Sequence, residues 1–290
     1  MLDVVRQYVL PILFAILVLL GFSAYRAQKT TVVAFERPVP TYEQIVEKEV
    51  LMSNPDELLP DLVPMPATDL KIAEAENGDL RLLFSTTYLN QGRGTLELRA
   101  DPKTAGVRAD IDRDVLQRIY FANGGSRDKV VGNFLWHQTH LHYHYQDFIV
   151  YDLTVEGGEN LEELSGILQK STFCLRDISR ILSPVEGKKE EATYKICGKE
   201  LQGVSVGWGD TYYFDYPDQA LNIESLPTGT YRLTFVANPE RRLDELAYSN
   251  NTSYVIFNYD RENRTVEVTK EFPEHLPEIE HVQLDDPFGL

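Results

Sequence analysis

Short stretches in which apolar and polar residues alternate recur along this chain, and they constrain its fold more than any other feature. Residues 79–88 are apolar and β-branched, residues 95–99 alternate, and Asn90-Gln91-Gly92-Arg93-Gly94 between them is turn chemistry. Residues 147–155, 203–206, 229–237, 253–259 and 266–268 carry the same signal. Short strands at this spacing, with turns between them, predict an all-β chain, a β-sandwich with long loops. One segment departs from the pattern. Residues 111–121, following Asp110 as a cap, predict a helix. With 290 residues, 43% of them hydrophobic, the chain can build one sizeable core or two small ones.

The remaining organisation follows from composition. An apolar run spans residues 8–25, with Arg6 before it and Arg26 and Lys29 after it. As a helix it would extend about 27 Å, close to the ~30 Å hydrocarbon thickness of a bilayer. Residues 1–26 are therefore read as a membrane anchor or signal segment, and the body as extracytoplasmic, membrane-anchored or secreted. Pro38, Pro40 and Pro55 mark residues 27–58 as a stalk. Residues 59–270 form the body, and 271–290 an acidic, mostly irregular tail with no lysine or arginine. A net charge of −17 argues against nucleic acid, whose phosphates need a positive field. The two cysteines, Cys174 and Cys197, are either bridged or two buried thiols; a bridge would contribute about 3 kcal/mol by the chain-entropy argument. Sequons stand at Asn250, Asn251 and Asn263.

Four of the six histidines fall at His137, His140, His142 and His144. The last three are spaced by two, so an extended segment directs them to one face. Three imidazoles without a thiolate suit copper or zinc. Spread over four intervals of ~3.3 Å, they meet at one ion only where the strand bends or bulges. His137 breaks the alternation and reads as outer-shell or structural. Three imidazoles and a water would equally serve zinc hydrolysis.

The histidine run, followed by Tyr151-Asp152-Leu153, resembles the copper-binding segment of lysyl oxidases. Leu59-Pro60-Asp61-Leu62-Val63-Pro64 and Asn90-Gln91-Gly92 resemble the start of that family's catalytic domain. Lys170-Ser171-Thr172-Phe173-Cys174-Leu175 is similar to its cofactor-lysine segment, and Gly207-Trp208-Gly209-Asp210-Thr211-Tyr212 to its cofactor-tyrosine segment. Gly229-Thr230-Tyr231-Arg232-Leu233, Asn238-Pro239 and Asn250-Asn251 match the C-terminal strands, so the likeness spans roughly residues 59–260. The resemblance implies copper at His140, His142 and His144, and lysine tyrosylquinone made from Lys170 and Tyr212. It implies oxidation of peptidyl lysine, or another primary amine, by O2 to an aldehyde, with release of ammonia and hydrogen peroxide. A base is required; Asp147 is the first candidate and Asp210 the second. Trp136 and Trp208 are walls of the site or core. Val150 stands where the animal enzymes carry a further histidine, and Thr139 replaces a cysteine, which leaves Cys174 as the partner implied for Cys197. The competing readings are a surface module that has lost the chemistry and a zinc site.

Overall fold

The structure is a computed structural model that describes residues 54–103, 113–138, 141–156 and 167–282, without the side chains of Leu168 and Lys170. The apolar N-terminal run and most of the stalk lie outside the described residues.

In chain order the strands are β1 (Glu57–Leu58), β2 (Leu62–Pro64), β3 (Thr68–Glu74), β4 (Leu80–Asn90), β5 (Leu96–Ala100), β6 (Arg113–Phe121), β7 (Ser126–His137), β8 (His142–Val155) and β9 (Ile167–Phe173). They continue with β10 (Ser179–Ile181), β11 (Leu201–Val204), β12 (Trp208–Tyr212), β13 (Ala220–Asn222), β14 (Gly229–Ala237), β15 (Thr252–Asp260), β16 (Thr265–Phe272) and β17 (Ile279–His281). No helix occurs among the described residues.

Two antiparallel sheets result. The larger runs β11-β5-β6-β7-β8-β14-β15-β16, with β1 on β6 and β9 on β8. The smaller runs β13-β4-β12-β10-β17, with β2 and β3 also on β4. Aromatic pairs join them: Phe84 against Tyr151 and Tyr88 against Phe148, each edge-on at centroid distances of 4.9 and 4.8 Å. Such pairs contribute about 0.5–1.5 kcal/mol beyond area burial. One hydrophobic cluster runs through β4, β5, β8 and β14 of both layers. The turn at residues 91–94 sends the chain from one sheet to the other, so β4 and β5 are not a hairpin.

The expected helix at 111–121 is strand β6, paired with β5 and β7. Its period is two, with Arg113, Val115, Gln117 and Ile119 buried. Two of those four are polar, which hides the alternation. Gln117 is inside because its amide matches the Asp244 backbone, donating to the Asp244 carbonyl and accepting from its N–H, both at 2.8 Å. The acidic C-terminal segment is likewise not all irregular, since β17 pairs with β10.

Cys174 and Cys197 form a disulfide. Of the sequons, Asn251 is buried with its amide donated to Ala237 O and Glu245. Asn250 donates to Asp61, and Asn263 is exposed at the β15–β16 turn.

Candidate active site

The β7–β8 hairpin gathers the histidines. His137 ends β7 and pairs with His142, the first residue of β8. The Leu141 N–H donates to His137 O at 2.8 Å and closes the turn. Leu141 adopts a φ of +57°, a left-handed conformation that costs a bulky residue about 1–2 kcal/mol.

On β8 the two-residue period directs His142 and His144 to one face. Both are buried, and their Nε2 atoms stand 2.7 Å apart. His137, across the hairpin, stacks on His144 with ring centroids 4.6 Å apart. His144 Nδ1 lies 3.1 Å from Thr172 Oγ1 on β9. In the tautomer that donates Nδ1–H to Thr172, the Nε2 lone pair faces His142, the usual arrangement behind a metal-bound imidazole. Two nitrogens at ~2.05 Å from one ion stand roughly 2.9 Å apart at the right angle of a square-planar site and ~3.3 Å apart in a tetrahedral one, so this hydrogen-bonded pair would open slightly to hold copper. His140, the third member of the spaced set, lies outside the described residues with Thr139. Among the described residues no three His, Cys, Asp or Glu side chains form a metal-binding group.

Sequence spacing passed over His137 as a member of this cluster. It belongs there because it sits on the partner strand, directly opposite His142. No linear pattern marks it, because the pairing of residues 137 and 142 belongs to the folded hairpin.

Tyr212 ends β12 and reaches the same β9 strand from the core side. Its ring lies 3.9 Å from the Phe173 ring, centroid to centroid, and the Cys174 N–H donates to its hydroxyl at 2.8 Å. Burial, reinforced by the Asp210 carboxylate, holds the phenol pKa well above 10, so the ring is neutral. Lys170 occupies β9 opposite Val150, and its side chain lies outside the described set. From residue 170 to Cys174 an extended strand covers about 13 Å. β9 and the residue after it thus run past three parts of the expected site, with residue 170 in the strand's middle, Thr172 at His144 and the Cys174 amide at Tyr212.

The two candidate bases differ in surroundings. Asp147 follows His144 by three positions, inside a register shift between Tyr145 and Ile149, with a φ of +46°. Its carboxylate lies 3.4 Å from both Arg242 Nη2 and Gln146 Nε2 and is half-buried. This bulge lies beyond the histidines, whose residues 142–145 pair in regular register with β7. Asp210 is buried and accepts backbone N–H groups of Arg176 and Thr211 at 3.1 and 2.8 Å. Desolvation pushes its pKa up to about 7, against the Arg176 charge and those two hydrogen bonds. Trp208 is core, its indole N–H donated to Lys189 O, while Trp136 is half-buried edge-on to Tyr143.

The chain is similar to known proteins over part of its length. Residues 126–269 match the family model described as lysyl oxidase. The chain is 32% identical over 128 residues to lysyl oxidase homolog 2 of Homo sapiens, 34% over 129 residues to lysyl oxidase homolog 2B of Danio rerio, and 31% over 128 residues to lysyl oxidase homolog 2 of Rattus norvegicus. These alignments cover 44% of this chain and 15–16% of each relative, so the chain spans a small part of the proteins it matches. The match runs from the start of β7 to within β16, and this part of the chain belongs to the lysyl oxidase family.

Proposed function

We propose that this protein is a copper-dependent amine oxidase. It converts the ε-amino group of peptidyl lysine, or another primary amine, to an aldehyde. The balance is one amine, one O2 and one water to one aldehyde, one ammonia and one hydrogen peroxide. The observation that carries this reading is the buried His142–His144 pair, its Nε2 atoms facing each other and its outer nitrogen on Thr172 of the strand that holds Lys170. Copper and a lysine tyrosylquinone derived from Lys170 and Tyr212 supply the electron sink when present.

The chain's own residues account for the rest. His142, His144 and His140 hold the ion, and Thr172 fixes the His144 tautomer. Joining Lys170 to Tyr212 requires the phenol to leave the Cys174 amide, which is ~13 Å along the strand from residue 170. Of the two carboxylates, Asp210 has the pKa suited to taking a proton near neutrality, and it sits two residues from Tyr212. Asp147 reaches the same role only by giving up Arg242. The disulfide suits an extracytoplasmic compartment, where the N-terminal segment would anchor or export the body.

Copper-loaded protein should release peroxide from an alkylamine and stain for a redox-cycling quinone. Tyr212→Phe should abolish the stain and peroxide release while leaving bound copper near the parent level. Staining that survives in Tyr212→Phe would rule out the assigned cofactor tyrosine.

A further inference from the structure

A surface groove of about 530 Å³ opens beside the histidine cluster, lined by Lys129, Asn133, Gln146, Glu240, Arg241 and Arg242 together with the β7 backbone from Val130 to Gly132. Gln146 follows His144 by two positions on β8, at the start of the register shift and ~7 Å further along the strand. The groove is therefore one strand repeat from the proposed metal ligands. That is within reach of a residue flanking a lysine whose side chain enters the site.

Its charge is unusual for this chain. On a protein with 45 acidic and 28 basic residues, the groove carries three cations and one carboxylate. Lys129 is committed to Asp244 and to the Arg242 carbonyl, and Arg242 to Glu240 and Asp147. Arg241 is not committed in this way. Its guanidinium lies over the Tyr248 ring, 5.1 Å from the centroid, and among the described residues no carboxylate pairs with it. Its backbone is in the left-handed region at a φ of +51°, and its N–H donates to Asn238 O at 2.9 Å. A half-buried guanidinium resting beside an aromatic ring can take a carboxylate through two parallel N–H bonds.

We infer that this groove is a substrate subsite in which Arg241 receives a carboxylate lying within a few residues of the target lysine. The assignment rests on the proposed amine oxidase reading for what enters the neighbouring site, and it names acidic peptide segments as the preferred substrate class. The carboxylate comes from a glutamate or aspartate side chain or from a peptide C-terminus.

The test is equilibrium binding of capped pentapeptides whose central lysine is replaced by norleucine, which cannot be oxidised. One carries glutamate on both sides, one glutamine, and a third has glutamine and a free C-terminus. The glutamate peptide should bind the full chain roughly tenfold more tightly than the glutamine peptide at low salt, with the preference shrinking as salt rises. Arg241→Gln should erase the preference, and Arg241→Lys should retain part of it because the charge survives without the fork. Preference for the free C-terminus alone would assign the site to the α-carboxylate. Equal binding of all three peptides, or a preference that survives Arg241→Gln, would overturn the proposal. Because norleucine reports binding alone, glutamate preference in a protein that oxidises no amine would defeat the enzymatic reading and leave the subsite standing.

Discussion

Glu245 is buried beneath three donors. Asn238 and Asn251 give their amides to one oxygen at 2.5 and 2.8 Å, and the Leu62 N–H donates to the other at 2.9 Å. Desolvation nevertheless raises its pKa from 4.5 to about 8, the hydrogen bonds opposing. A carboxyl with a raised folded pKa contributes full stability below 4.5, which is lost as pH rises toward 8, because the unfolded chain ionises first. Urea unfolding should therefore show stability declining across that window. Glu245→Gln should flatten the decline and lower stability at pH 5 by about 1–3 kcal/mol, since it puts an NH2 against one of the three donors. At this scale the site was partly legible. The spacing of His142 and His144 predicted a shared face, and they share it. His137 was not, because its place depends on a cross-strand partner that a linear pattern does not display. Nor could spacing rank Asp210 against Asp147, since burial and the Arg242 ion pair are properties of the folded surroundings.

Among elements, β12 explains a motif. Gly209 lies across from Leu89, and a Cβ there would sit 2.3 Å from the Tyr88 carbonyl oxygen and 2.6 Å from Leu89 Cδ2. The backbones come this close because β12 is inserted between β4 and β10 with Asp210 and Tyr212 on the core side. Gly209→Ala should therefore disrupt β12, costing about 1–3 kcal/mol or more and displacing Tyr212. Calorimetry reads the first effect, and loss of protection at the Cys174 amide reads the second. The strands with regular apolar alternation, β14 and β15, were visible in sequence. β6 was not, because half of its inward positions are Arg113 and Gln117. β7 was not, because the charged residues Arg127, Asp128 and Lys129 occupy its first half.

On the scale of the molecule, the acidic C-terminal segment has a structural role that its composition conceals. β17 covers the open edge of β10, where Arg180 pairs with Glu280 and the Ser179 hydroxyl meets His281 Nδ1 at 2.9 Å. Removing residues 273–290 would bare that edge, a template for pairing with other chains. The truncated protein should melt several degrees lower and should associate at concentrations where the full chain does not, by light scattering. Composition gave the charge of this segment correctly, but three residues of β17 are too few for any periodic signal.

Within the larger sheet, β9 hydrogen-bonds to β8 alone among the described strands. A ribbon stitched along a single seam can lift without unravelling the cloth. Lifting β9 would move the backbone of Lys170, the Thr172 hydroxyl and the clasp on Tyr212 together. The pieces named in the proposed cofactor therefore ride together on a segment with one seam, pinned to the core at its end by Phe173.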